Sequence, residues 1–235
     1  MTKEELGILY SEEKQYKLQV PRSQDTQSVS LPVVPLHDFL IDQSARKRER
    51  MRLALELSYA ILQYYSTGWI NASWTWRDFS VAKTEGQDPA EAQLFVTTKF
   101  YSALRSSNGS PTTSSSLPSE IWTLLGEPIL TRLGFALIEL AMGKSLSDLR
   151  DKSVGQVSMD PDTLDYFTAR NILNTGKLLD EQGGAYEAVV RACLDHQFYC
   201  QTAYRRLDSR QSSFFQDVEE CVIAPLHSMW IETWG

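Results

Sequence analysis

The segment at 128–142 most constrains the fold, because it is apolar on almost every side. Its apolar residues are Ile129, Leu130, Leu133, Phe135, Ala136, Leu137, Ile138 and Leu140. A helix with apolar side chains all around its axis is stable only where other elements surround it. Arg132 and Glu139 interrupt the segment, and it is shorter than the roughly 20 residues that span a bilayer. We therefore predict a central core helix that ends at Gly143, and no membrane span.

Further helices are predicted before and after this one. From about Arg46, apolar residues recur at helical spacing in two sets, so this helix is expected to pack on two sides. Asp160 and Pro161 form an N-cap and first-turn pair that opens a helix running through Leu179. One more helix is predicted over 186–194, and a closing pair over 214–223 and 225–234.

Strand signals are fewer. Residues 6–20 alternate around a charged turn and predict a β-hairpin, whereas the two prolines within 31–35 favour an extended crossover over a sheet ladder. Short β-prone pieces lie at 79–81 and 94–96. The expected fold is mainly α with a small β element (α+β). We expect one domain over 1–235, with the hairpin and a connector at 1–30 and a disordered serine-rich loop at 105–119.

Composition excludes several classes of function. The chain has 30 acidic and 23 basic residues, a net charge of −7, so nucleic-acid binding is not expected. No GxGxxG or GxxxxGK phosphate cradle occurs, and no cofactor is expected. The first five residues are polar and the three cysteines form no CxxC pair, which favours a cytoplasmic protein.

The pattern Cys193-x2-His196-x3-Cys200 resembles a set of metal ligands. On one continuous helix the three side chains share a face, and Cys221 or His227 would complete a tetrahedral zinc site. The simpler interpretation is that the cysteines pack in the core and that the histidine is a hydrogen-bonded core or surface residue. A metal-stabilised helical adaptor stays open as an alternative.

Two stretches are candidates for contact with a protein partner. The first is the basic run at the start of the predicted helix; an acidic partner and a solvated helix face are both open for it. The second is a loop of tryptophans, which forms either a binding surface or anchors to the core. The candidate residues are Arg46, Lys47, Arg48 and Arg50 in the first stretch and Trp69, Trp74, Trp76, Arg77 and Asp78 in the second.

Taken in order, these elements resemble the C-lobe of a protein kinase. The hairpin resembles the two strands before the hinge, and LQYYSTGWI at 62–70 resembles the end of the helix that leads to the catalytic loop. LGFALIELAMGK at 133–144 resembles the buried helix after the activation segment, and residues 192–194 and 210–218 resemble the closing helices. The pattern is also similar to a fungal family of unknown function with a kinase-like C-lobe, often attached to HeLo-type domains.

The catalytic groups that this resemblance requires are incomplete. No Gly-rich loop or phosphate-binding lysine precedes Leu6. One register places Ser73 at the catalytic aspartate, and the register that supplies Asp78 instead places Lys83 at the metal position. The resemblance therefore implies a non-catalytic, pseudokinase-like module for protein binding or regulation, in fungal self/non-self recognition or regulated cell death. The alternative is an atypical phosphotransferase or nucleotide-binding enzyme that uses Asp78.

Overall fold

A computed structural model describes residues 4–11, 14–20, 33–36, 47–65, 67, 69–75, 78–82, 93–96, 120–125, 127–150, 159–200 and 203–235. The chain divides into two units, Met1–Pro32 and Val33–Gly235. In the first unit, strands β1 (Glu4–Ser11) and β2 (Lys14–Val20) pair antiparallel. The predicted hairpin is confirmed. The predicted serine-rich loop at 105–119 lies outside the described residues.

The second unit is mainly helical, as predicted. Its helices are α1 (Lys47–Tyr64), α2 (Glu120–Leu125), α3 (Pro128–Met142), α4 (Leu146–Leu149), α5 (Pro161–Asn174), α6 (Lys177–Gln182), α7 (Gly184–Asp195), α8 (Phe214–Val218), a π-helix (Glu219–Ile223) and α9 (Ala224–Trp234). Its strands are β3 (Val33–Pro35), β4 (Phe79–Ala82), β5 (Gln93–Val96), β6 (Gln197–Cys200) and β7 (Ala203–Arg206).

Helix α3 lies at the centre of the core, as its sequence predicts. It packs against α1 on one side and α7 on another, and Leu133, Leu137 and Leu140 have no exposed surface. The contact with α7 is close because position 134 is glycine. A Cβ atom there would lie only 2.8 Å from Cδ2 of Leu194. Helix α1 in turn contacts α3 and α9, which confirms its two-sided packing.

The prediction that residues 31–35 form a crossover outside any sheet is wrong. Residues Val33–Pro35 form β3, which pairs antiparallel with β4, and β4 pairs with β5 on its other side. Strand β3 is therefore an edge strand. Proline is tolerated at a sheet edge because no second neighbour requires its missing N–H. The β-prone segments at 79–81 and 94–96 do form strands.

The helix that begins at Pro161 is shorter than predicted. Asp160 caps it by accepting the backbone N–H of Thr163 at 3.0 Å, but α5 ends at Asn174 rather than continuing through Leu179. Gly176 adopts a left-handed conformation with φ of 71°, and the chain restarts as α6 at Lys177. The sequence predicts one continuous helix because the apolar residues keep their helical spacing on both sides of Gly176.

The predicted pair of closing helices is instead one continuous helical run over 214–234. Residues Glu219–Ile223 form a π-helical segment whose capping Ala224 donates its N–H to the carbonyl of Glu219. Pro225 has no N–H, and its ring needs space near the preceding turn. The wider π turn gives that space, so the run continues into α9 without a break.

Gly143 gives a first test of the packing around α3. It ends the helix with φ of 62°, and its N–H donates to the carbonyl of Glu139 at 2.8 Å. A Cβ atom there would collide with the Arg50 guanidinium, which lies at the negative end of the helix dipole. We expect Gly143→Ala to lower the free energy of unfolding by about 1.5–2.5 kcal/mol, measured by urea denaturation.

Gly176→Ala is the matched control. Gly176 is also left-handed, but a Cβ atom there would meet no atom within 4 Å. Gly176→Ala should therefore lower the free energy of unfolding only by the backbone strain, about 1–2 kcal/mol. Equal losses in the two variants would show that the contact with Arg50 contributes nothing.

Candidate functional site

Aromatic side chains gather at the C-terminal end of α1. The rings of Tyr64 and Trp69 are centred 6.3 Å apart, and the ring of Tyr65 lies 4.7 Å from Phe214 and 6.1 Å from Phe215. Trp69 is 42% exposed and Phe215 is 46% exposed, whereas Phe214 is buried. We call these five residues the aromatic cluster. Tyr64 and Trp69 form one group of rings and Tyr65, Phe214 and Phe215 form another, and each group presents one large apolar ring to solvent.

A polar cavity of about 320 Å³ adjoins the aromatic cluster. The polar residues that line it are Glu127, His196, Arg206, Asp208, Ser209 and Arg210. The Tyr65 hydroxyl donates a hydrogen bond to the Glu127 carboxylate and so joins the cluster to the cavity. Burial and this bond raise the pKa of Tyr65 well above its usual value, so the side chain stays a neutral donor.

An arginine–aspartate pair stands at the mouth of the cavity. Arg210 donates from Nε and Nη2 to the two carboxylate oxygens of Asp208, at 2.9 and 2.8 Å. These hydrogen bonds lower the pKa of Asp208 to about 2. Arg206 is exposed beside them. The rim therefore carries both acidic and basic groups, and their charges largely cancel.

His196 lies at the back of the cavity and is nearly fully buried. It follows the last turn of α7 in a left-handed conformation with φ of 52°. Its Nδ1 lies 2.9 Å from the carbonyl oxygen of Leu125, and its Nε2 lies 2.9 Å from Oγ1 of Thr131. Because a carbonyl only accepts, Nδ1 carries a proton in every state. In the neutral ring Nε2 then accepts a hydrogen bond from Thr131.

The stability of the protein is expected to depend on pH through His196. Burial lowers the pKa of this residue below 6.5, so in mildly acidic solution the unfolded chain binds more protons than the folded chain. The free energy of unfolding should therefore fall as the pH drops from about 7 through the folded-state pKa. Urea denaturation at pH 7.5 and 5.5 measures this loss.

The control for this pH dependence is His196→Asn. Asparagine tolerates the left-handed backbone and does not titrate. Burial raises the pKa of Glu56 and Asp165, which gives an opposite trend with pH, but that trend is common to both proteins. The variant should lose the contribution of His196. An identical pH dependence in both proteins would contradict the assignment.

The structure separates the predicted tryptophans. Trp69 belongs to the aromatic cluster, whereas Trp74 is only 2% exposed. The indole N–H of Trp74 donates to the carbonyl of Ile129 at 3.2 Å, and its ring meets Phe79 edge-on. Trp74 is therefore a core anchor and is withdrawn from the partner-contact set. The predicted contacts Trp76 and Arg77 lie outside the described residues.

The basic residues at the start of α1 make contacts within the domain. Lys47 donates from Nζ to the carbonyl of Glu181 at 2.7 Å, and Arg48 lies 5.6 Å from the ring centre of Trp230. Arg50 lies against Gly143. Arg46 lies outside the described residues. Because α1 has 18 residues, this end lies about 25 Å from the aromatic cluster, so the structure does not bring the two predicted sites together.

The helical arrangement assumed for a zinc site is wrong. Helix α7 ends at Asp195, and residues 197–200 form β6, so Cys193, His196 and Cys200 do not share a helical face. Cys193 is buried, which raises the pKa of its thiol, and both ring nitrogens of His196 have partners. Within the part of the chain that the structure describes, no group of three or more His, Cys, Asp or Glu is arranged to hold a metal.

A larger cleft of about 870 Å³ lies between α7 and the π-helix. Small apolar residues, including Ala188 and Ala192, line much of it. Two of its charged groups pair with each other, since Arg170 contacts Asp195. Arg191 contacts Glu187 at 2.7 Å. Because these arginines are committed to partners within the domain, we base the candidate site on the aromatic cluster and the polar cavity.

Sequence reasoning missed most of the candidate site. The local pattern places Tyr65 and Phe215 in helices and indicates no surface role for them, and it does not single out Glu127. The hydrogen bond that unites the site joins residues 62 positions apart, and His196 reaches Leu125 across 71 positions. No local spacing carries that information. The adjacent pair Phe214-Phe215 was the available signal, because helix neighbours point to different faces, and here Phe214 is buried while Phe215 is exposed.

Comparison with known protein families assigns this chain to one of them. The model of the domain of unknown function DUF7580 matches residues 2–230. The chain therefore belongs to the DUF7580 family. No curated protein and no solved structure matches it. Among the described helices, none combines the length and apolar character needed to span a bilayer.

Proposed function

We propose that this protein is a non-catalytic, pseudokinase-like module that binds a protein partner through the aromatic cluster and the rim of the polar cavity. The observation that carries the proposal is the exposure of Trp69 and Phe215 in a cluster that Tyr65 joins to the polar cavity through Glu127. Centres of protein interfaces are enriched in Trp, Tyr, Phe and Arg, and their rims are polar. The partner is expected to cover the two exposed rings with apolar side chains.

The kinase-like part of the proposal is supported by how the loop after α1 is held. The resemblance pairs this loop with a kinase catalytic loop and α3 with the buried helix. Here the two are in direct contact: Trp74 bonds to the carbonyl of Ile129, and Arg132 donates from Nε to the carbonyl of Ala72 at 3.0 Å. A loop held to a buried helix by these two hydrogen bonds suits a binding module, since ordering a binding segment costs affinity.

The proposed setting is regulation in the cytoplasm, in fungal self/non-self recognition or regulated cell death. This setting rests on the similarity to the fungal family with a kinase-like C-lobe and HeLo-type neighbours. A regulatory module of that kind acts by docking, and exposed aromatic rings near a polar cavity suit that role.

Asp78 is the residue on which an enzymatic alternative depends. Its Oδ2 accepts the backbone N–H of Thr75 at 2.7 Å, so the carboxylate closes a turn at the end of the loop. Calorimetric titration with Mg-ATP separates the two functions. We expect no saturable binding, and saturable binding that disappears in Asp78→Asn would support the enzyme instead.

Truncation of the exposed rings tests the docking proposal. We expect Trp69→Ala and Phe215→Ala each to weaken partner binding by about 5- to 30-fold, equivalent to about 1–2 kcal/mol, because interface aromatics carry much of the binding energy. The measurement is quantitative co-purification from a fungal extract with each variant as bait.

The matched control is Ile231→Ala. Ile231 is 51% exposed on α9 and lies outside the aromatic cluster, so its truncation should leave the recovered proteins unchanged. All three side chains are about half exposed, so each substitution should lower the free energy of unfolding by no more than about 1–2 kcal/mol. Recovery of the same proteins in the same amounts with all baits would refute the docking face.

A further inference from the structure

We propose that the docking face is pH-sensitive, with His196 as the sensor and Glu127 and Tyr65 as the link to the aromatic cluster. The biological meaning of this switch rests on the proposed function, whereas its physical basis does not. Three observations carry it: a chain of hydrogen bonds that can accept a proton, a set of charges that surrounds it, and the contact of Tyr65 with the exposed ring of Phe215.

The hydrogen bonds around His196 are satisfied in both protonation states. Oγ1 of Thr131 lies between Nε2 of His196 at 2.9 Å and the carbonyl oxygen of Glu127 at 3.0 Å. With a neutral ring, the single hydroxyl proton of Thr131 points to Nε2. With a protonated ring, Nε2–H donates to Oγ1 and the hydroxyl turns towards the carbonyl. The site can therefore take up a proton by one hydroxyl rotation.

Charged groups from several elements face this ring. Glu127, ahead of α3, and Asp195, at the end of α7, favour the protonated form, whereas Arg206 on β7 opposes it. Asp208 and Arg210 pair at the cavity mouth, and the Tyr65 hydroxyl from the end of α1 approaches Glu127. Burial outweighs the favourable charges and lowers the pKa of His196. The ring therefore takes up its proton below the ordinary pKa of histidine.

Protonation of His196 is expected to affect the aromatic cluster through Glu127. In the neutral state its carboxylate accepts the hydroxyl of Tyr65. A positive charge on His196 attracts the same carboxylate, which weakens its bond to Tyr65. The Tyr65 ring packs against Phe214 and the exposed Phe215. A change at Tyr65 therefore reaches the surface that the partner is proposed to contact.

Nuclear magnetic resonance of the full chain with ¹³C-labelled histidine and tyrosine rings tests this inference. Between pH 8 and 5 we expect the Tyr65 signals to shift with the same midpoint as His196. In His196→Asn the shift of Tyr65 should be lost, and in Glu127→Gln His196 should still titrate while Tyr65 no longer follows it. His227→Gln, on exposed α9, is the matched control and should leave the Tyr65 transition intact.

Thr131→Val gives a second readout that does not require substitution of the histidine. Loss of the hydroxyl leaves the protonated Nε2 without its acceptor, so the midpoint of His196 should fall by about one pH unit. A Tyr65 signal that stays constant while His196 titrates, or a transition that persists in His196→Asn, would overturn the switch. If Tyr65 follows His196 but truncation of Trp69 and Phe215 leaves partner capture unchanged, the sensor stands and the proposed docking function fails.

Discussion

Replacement of Trp74 by alanine is expected to lower the free energy of unfolding by about 3–5 kcal/mol. The ring is 2% exposed and packs edge-on against Phe79 at a centroid distance of 5.5 Å. Its removal leaves a cavity between the loop and α3, and the carbonyl of Ile129 loses the indole N–H. Urea denaturation followed by far-ultraviolet circular dichroism measures the loss.

Trp69→Ala is the control for this substitution, because it removes the same side chain from the same loop. Trp69 is 42% exposed, and its truncation should lower the free energy of unfolding by no more than about 1–2 kcal/mol, well below the loss at Trp74. Equal losses of stability in the two variants would contradict the assignment of Trp74 to the core and Trp69 to the surface.

Arg132→Ala is expected to lower the free energy of unfolding by about 2–3 kcal/mol. The Arg132 side chain is 16% exposed and joins three elements. It donates to the carbonyl of Ala72 at 3.0 Å and to the carboxylate of Asp162 at 2.7 Å, and it lies 5.2 Å from the ring centre of Trp122. Without it, Asp162 keeps a partly buried charge that still accepts the indole N–H of Trp122 at 2.9 Å.

Arg150→Ala is the matched control for Arg132. Arg150 pairs with Asp165 at 2.9 Å, and both side chains are more exposed than those of Arg132 and Asp162. Its loss should cost at most about 1 kcal/mol. A double-mutant cycle with Asp162→Asn isolates the ion pair. If Arg132→Ala lowers the free energy of unfolding no more than Arg150→Ala does, Arg132 does not stabilise the contact between α3 and the loop.

The parts of the fold that the sequence predicts well are those with strong local periodicity. Helices α1 and α3 follow from apolar spacing alone, and the hairpin of β1 and β2 follows from alternation around a turn. The ladder of β3 was missed because its partner, β4, lies far along the chain and the prolines of 31–35 suggested a crossover. The break at Gly176 was missed because one glycine does not disturb the apolar spacing around it.

The candidate site was less predictable than the fold. Trp69 and Trp74 belong to one loop and have the same side chain, so only the tertiary structure assigns one to solvent and the other to the core. The helical face that the zinc hypothesis assumes does not form, because His196 leaves α7 in a left-handed conformation, which a count of helical spacing cannot detect. Tyr65, Glu127 and His196 come from three separate segments that meet only after folding.

The docking face is tested most directly by the dissociation constant of the partner recovered by co-purification. Calorimetry should compare the unaltered protein with Trp69→Ala, Phe215→Ala and Ile231→Ala at pH 7.5. We expect Trp69→Ala and Phe215→Ala each to weaken binding by about 5- to 30-fold and Ile231→Ala to leave it unchanged. Equal dissociation constants for all four proteins would contradict the claim that the aromatic cluster binds the partner.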